Sequence, residues 1–102
     1  MSTTYDFTIG QHKITFRKPT HAEWRRFKVQ VTKSDQKGAK PIVDCVEELV
    51  RSMISSPSST EVDVIADEYG NVFELIGEEI DLMQSGAETK RASKSGGTPR
   101  KD

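Results

Sequence analysis

Apolar and polar residues alternate along TYDFTIGQHKITFR, residues 4 to 17, and the period then changes. Alternation of period two is the mark of a strand with one covered face. Gly10-Gln11 interrupts it as a two-residue loop, with Gly first as a type II′ hairpin turn requires. That loop sets Ile9 opposite His12, Phe7 opposite Ile14 and Tyr5 opposite Phe16, all six on one face. Asp6, Thr8, Lys13, Thr15 and Arg17 take the other. A lone hairpin is barely stable in water, so its aromatic face needs a cover.

The helical period begins after Pro19. Thr20 and Glu23 fit a capping box, in which each side chain meets an orphan backbone N–H at the helix start. Trp24, Phe27 and Val31 then recur along one stripe, with Arg25, Arg26 and Lys33 off it, and the helix fades near Ser34 into the polar loop SDQKGAK. A second helix opens at Pro41. Its apolar stripe is Ile42, Cys45, Val46, Leu49, Val50 and Met53, and SSPSS ends it because Pro57 cannot continue a helix. Thr60 or Ser59 caps a short third helix through Val62, Ile65 and Tyr69, with Gly70 as a left-handed stop. Asn71 and Glu74 resemble a further cap. A fourth helix follows with Val72, Phe73, Ile76, Ile80 and Met83 in its stripe, weakened by Gly77; the third and fourth could be one kinked helix. From Gln84 onward there is no aromatic and no branched aliphatic residue, too little apolar surface to offset chain entropy. The expected fold is therefore α+β and mostly α: an N-terminal β-hairpin, three to four short helices and a disordered C-terminal tail. Residues 1–85 form one small domain and 86–102 the polar tail.

Composition sharpens this. Only 33% of the 102 residues are apolar and 30% are charged, so the core is small and support from a partner or a second copy is expected. No apolar run is long enough for a membrane helix, and no apolar secretory core lies near Met1. The single Cys45 rules out an internal disulfide. A cytoplasmic location is the expectation. The net charge of −1 hides a polarised chain. Residues 12–40 carry nine Lys or Arg against Glu23 and Asp35, residues 41–83 carry eleven Asp or Glu against Arg51, and the last segment is basic again. Such polarity bears on association and steering rather than on fold.

No motif for catalysis is present: no Gly-rich phosphate loop, no His-Glu-x-x-His and no nucleophile elbow. His12, His21 and Cys45 are not spaced as zinc ligands, and Cys45 lies on an apolar stripe, which marks core rather than nucleophile. Glu47-Glu48 and Glu78-Glu79 are adjacent; neighbouring helix positions point about 100° apart, so neither pair converges as an acid/base couple and both read as solvated faces. No catalytic, metal or cofactor site is expected. Lys13, Arg17, Lys18, Arg25, Arg26 and Lys28 could follow a phosphate backbone, with Trp24 stacking on a base. Against this, Trp24 shares a stripe with Phe27 and Val31, and the acidic segment competes for the same cations.

The order of these pieces resembles a known family. IGQHKITFRKPTHAEWRRFKVQV runs from paired strands through a Pro-Thr turn into a basic helix with Trp and Phe anchors. PIVDCVEELVRSMI, a Ser/Pro break and an acidic helical pair follow, and then a polar end. Across residues 7 to 85 this layout is similar to the tail assembly chaperones of long-tailed bacteriophages, a family without a sharp motif. The resemblance implies a non-enzymatic, mostly helical protein of the host cytoplasm. Such proteins coat the helical tape measure protein before the tail tube forms around it. In many phages a frameshift near the end of the shorter product appends a domain that recruits tail tube subunits; the polar tail here sits where that junction falls. The resemblance assigns no fixed role to any residue. The expected partners are thus the tape measure and tail tube proteins, with a homo-oligomer as a further possibility and a nucleic-acid-binding or regulatory adaptor as the alternative. The candidate docking surface joins hairpin and first helix: Tyr5, Phe7, Phe16, Trp24, Phe27 and Val31, rimmed by Arg25, Arg26 and Lys28. The competing reading packs the same apolar residues on the second helix as core.

Overall fold

A computed structural model describes residues 4–94. The alternating run folds as the expected hairpin, β1 (Thr4–Ile9) and β2 (His12–Arg17), in the expected register: Tyr5 faces Phe16, Phe7 faces Ile14 and Ile9 faces His12. Gly10 takes the positive φ of 59° that the turn demands, while Gln11 does not, as in a type II′ loop. On the outer face Thr15 Oγ1 donates to Asp6 Oδ1 at 2.8 Å. The inner face is the floor of the core: Phe7, Ile14 and Phe16 are wholly buried, and Tyr5 stacks on Phe16 with ring centroids 5.9 Å apart.

Gly10 also receives a neighbour from elsewhere in the chain. A Cβ built there would lie 2.0 Å from Tyr69 Oη, so the tyrosine hydroxyl occupies the space a side chain would need. Gly10→Ala is therefore expected to destabilise by about 1–2 kcal/mol for the left-handed backbone alone, plus the displacement of Tyr69. In a urea double-mutant cycle, Gly10→Ala with Tyr69→Ala costs less than the sum of the singles. Strict additivity would show that Tyr69 does not press on the turn.

The helices are α1 (His21–Thr32), α2 (Ile42–Met53), α3 (Ser59–Glu68) and α4 (Val72–Ser85). The capping box at α1 is complete: Glu23 N–H donates to Thr20 Oγ1 at 3.2 Å and Thr20 N–H to Glu23 Oε1 at 2.8 Å. Glu23 is further fixed by two hydrogen bonds from Arg17, at 2.8 and 2.7 Å, which tie the end of β2 to the first turn of α1. Arg17, and next the Thr20 N–H, hold the Glu23 carboxyl well below the usual range, at about 2. A carboxyl depressed in the folded state stabilises fully above its unfolded pKa, about 4.3, and that contribution is lost as pH falls toward 2. Both partners are partly exposed, so the expected loss is on the order of 1 kcal/mol. Glu23→Gln should be destabilised by that amount at pH 7, and its urea midpoint should merge with that of the parent near pH 2. A gap unchanged at pH 2 would contradict the ion-pair account.

α2 supplies the central stripe, with Cys45, Leu49, Val50 and Met53 buried, but its first turn opens to solvent: Ile42 is 51% and Val43 56% exposed. Arg51 binds the helices together. Its Nε donates to Glu47 at 2.8 Å, its Nη2 to Asp63 Oδ1 of α3 at 2.5 Å, and its guanidinium lies 4.8 Å from the Phe73 ring centroid of α4. α3 and α4 are two helices. Ser58, rather than Ser59 or Thr60, caps α3 by accepting from Glu61 N–H. Gly70 has no positive φ and Asn71 makes no capping bond; the left-handed stop is instead Gly86, after α4.

Two strands depart from the expectation. β3 (Ile54–Ser56) follows α2 directly and pairs with β2, and β4 (Ala92–Lys94) pairs antiparallel with β1, giving a four-stranded sheet of order β3-β2-β1-β4. The expectation of disorder from residue 86 is thus corrected for the segment up to Lys94. Its anchor is Glu79, which was read as solvated and is 2% exposed. Its Oε1 accepts three backbone N–H bonds, from Lys90 at 2.9 Å, Arg91 at 2.8 Å and Ala92 at 2.9 Å. Residues 95–102, the rest of the expected tail, lie outside the described residues.

Candidate functional site

α1 is the only helix of the four, among the described residues, that buries no residue. It is tethered at its start by the capping box and Arg17 and rests on α2 through Trp24 and Phe27. These are half-buried against the core cluster. The two rings lie 5.1 Å apart at 34°, and Lys28 Nζ sits 5.7 Å from the Trp24 ring centroid, within reach of a cation–π contact. The docking side chains foreseen in the sequence therefore separate. Phe7 and Phe16 are corrected: both are 0% exposed and belong to the core, because the sheet face they share is covered. Tyr5 is partly buried on Phe16. Trp24, Phe27 and Val31 stay partly exposed on α1, and Arg25, Arg26 and Lys28 are exposed beside them.

Between α1 and α4 runs an open groove of about 270 Å³. Trp24, Phe27 and Lys28 form one wall and Val46 and Leu49 of α2 the floor. Gly77 lets α4 approach: a Cβ there would lie 3.0 Å from Val46 Cγ1. This gives the helix-weakening glycine a packing reason. The far wall is acidic: Glu74, Glu78 and Asp81 of α4. A second cleft of about 180 Å³ opens on the other flank of α1, lined by Arg26, Phe27, Cys45 and Glu48 among others. Phe27 and Leu49 contribute to both, so α1 stands on α2 as a ridge with a depression on either side.

The charge pattern resolves along the same lines. Arg17 is taken by Glu23, Lys40 by Glu48, Arg51 by Glu47 and Asp63, and His12 Nε2 lies 3.1 Å from Glu68. Among the described residues Arg25, Arg26 and Lys28 form no ion pair, and neither do Glu74, Glu78 and Asp81. Removing Arg17 from the basic set shortens the tract that could follow phosphates, and Trp24, packed on Phe27 beneath Lys28, is not presented as a base platform. Cys45 is 1% exposed on the α2 stripe, as its place in the pattern implied. Among the described residues no group of three His, Cys, Asp or Glu is placed to hold a metal, and no helix is long and apolar enough to cross a membrane.

The acidic wall is what the sequence reading missed. In the sequence Glu74 reads as a cap residue, Glu78 as part of a solvated pair and Asp81 as part of the acidic segment, and nothing there joins the three into one wall. Their spacing of four and three residues puts them on one face of α4, a signal present in the sequence. Comparison with protein-family models, curated proteins and solved structures finds no match to this chain.

Proposed function

We propose that this protein is a non-enzymatic docking module that acts as a phage tail assembly chaperone. In this reading it works in the host cytoplasm, holds the tape measure protein and helps recruit tail tube subunits. The observation that carries the docking part is the state of α1: a helix with no buried residue carries a half-buried aromatic pair that forms one wall of an open groove. A helix of this kind gains most of its stability from packing, and a partner that closes the groove supplies more of it. Helix-in-groove recognition uses anchors at helical spacing against a surface of this type. The layout of the chain, a hairpin leading into a basic Trp/Phe helix and then an acidic helical pair, supports the assignment to tail assembly.

The test is co-purification with the tape measure protein encoded in the same genome. The expected result is retention at low salt that falls as salt rises, and loss of retention on replacing Trp24 and Phe27 together with Ala. No retention at low salt would reject the chaperone reading. A non-specific DNA mobility shift at low salt that disappears steeply with salt would support the nucleic-acid alternative instead.

A further inference from the structure

We infer that the groove between α1 and α4 is selective for an amphipathic helix whose apolar seam is flanked by Lys or Arg on the side that meets α4. The inference rests on the docking reading above and adds the chemistry of the partner.

Three features of the groove carry it. Its floor and α1 wall are apolar, from Val46, Leu49, Trp24 and Phe27, and so ask for a seam of aliphatic or aromatic side chains. Its α4 wall is a row of three carboxylates, Glu74, Glu78 and Asp81, all exposed and none paired among the described residues. At a rise of about 1.5 Å per residue the row runs about 10 Å, two helical turns. Cations spaced i, i+4 and i+7 on an adjacent helix meet it in step. The opposite wall carries Lys28, held over Trp24. A partner with basic flanks on both sides of its seam would set one flank against Lys28. The favoured partner therefore has its cations on one flank only, which fixes its rotation about its own axis.

Occupants from this chain fit less well. The basic α1 of a second copy has its aromatic pair turned onto its own α2, leaving Val29, 43% exposed, as its one large apolar residue open to solvent. Residues 95–102, SGGTPRKD, carry cations but no apolar residue to fill the floor. A separate polypeptide with both features is the occupant that the groove's charge and apolar surface together select.

The experiment titrates three synthetic helices into the full chain and follows fluorescence anisotropy of the labelled peptide. One has a Leu seam with Lys on one flank, one the same seam with Glu on that flank, and one a Ser seam with Lys. Partly exposed ion pairs contribute about 0.2–1 kcal/mol each, so three of them amount to roughly 3- to 150-fold in Kd. The Lys-flanked Leu helix should bind at least about threefold tighter than its Glu counterpart. The triple variant Glu74→Gln, Glu78→Gln, Asp81→Asn should remove that preference while leaving thermal unfolding of the free protein unchanged. Equal binding of the Lys and Glu helices, or a preference that survives in the triple variant, would overturn the charge assignment and leave the docking reading standing. Failure of both Leu helices to bind better than the Ser helix would overturn the docking reading and the inference with it. Sedimentation of the free protein as a dimer that the peptide dissociates would overturn the inference in favour of a second copy as occupant.

Discussion

Phe16→Ala is expected to cost about 3–5 kcal/mol and to bring urea unfolding to a much lower midpoint. Phe16 is wholly buried, stacks on Tyr5, and stands on the strand that pairs with both β1 and β3. Truncation leaves a cavity beneath the helices in a core drawn from a chain only 33% apolar. A domain of this size has about 5–15 kcal/mol of stability in total, so one ring is a large fraction of it. Urea unfolding followed by circular dichroism measures the loss. Trp24→Ala supplies the contrast. Its ring is half-buried on a helix without a buried residue, so its removal should cost clearly less than that of Phe16. Equal losses at the two positions would mean that α1 is as much a part of the core as the sheet.

The second large effect is expected at Glu79. One carboxylate oxygen accepts three backbone N–H groups of residues 90–92, and hydrogen bonds to a charged acceptor contribute about 1.5–3 kcal/mol each. Their sum is not realised in full, because the segment can detach and give its N–H groups to water. The cost of Glu79→Ala is then capped by what β4 adds to the fold, about 2–4 kcal/mol. Hydrogen exchange locates the effect. Amides of residues 90–94 should lose protection first, together with the β1 amides that pair with β4, while those of α2 stay protected. Glu79→Gln keeps an acceptor oxygen without the charge and should fall between Ala and the parent. If the Ala variant exchanged like the parent over residues 90–94, Glu79 would not be the anchor of β4.

These positions also mark what the sequence could and could not tell. The hairpin register was legible because a period-two pattern and a Gly-led two-residue loop each fix it, and they agree. The start of α1 was legible because Thr20 and Glu23 satisfy each other within one turn. β4 was not: Ala92, Ser93 and Lys94 have no strand character of their own, and what makes them a strand is a free edge on β1 and a carboxylate, Glu79, that holds the N–H groups of residues 90–92 just before and at the strand's start. β3 was hidden in the same way within a polar run. Glu79 itself could have been found, since it lies seven residues after Val72 and three after Ile76, in the middle of the apolar stripe of α4. The aromatics show the limit of pattern reading. Phe7, Phe16, Trp24 and Phe27 are equivalent as apolar marks on their elements. Which pair is fully buried and which only half-buried depends on α2, α3 and α4 covering the sheet while α1 perches on α2, a long-range arrangement that local periodicity does not encode.

Phe7 and Phe16 are buried in the core, whereas Trp24 and Phe27 are half-buried beside the groove at which a partner is proposed to dock. Trp24 is the single tryptophan of the chain, so its fluorescence reports on the second pair alone. The most direct measurement is acrylamide quenching of Trp24 in the folded protein, free and with the Lys-flanked helix bound. The account predicts an accessible indole in the free protein, quenched well above the level of a buried one, and a bound state in which emission moves to the blue and quenching falls. An indole already sealed from acrylamide in the free protein, or one whose exposure is unchanged when the groove is saturated, would contradict it.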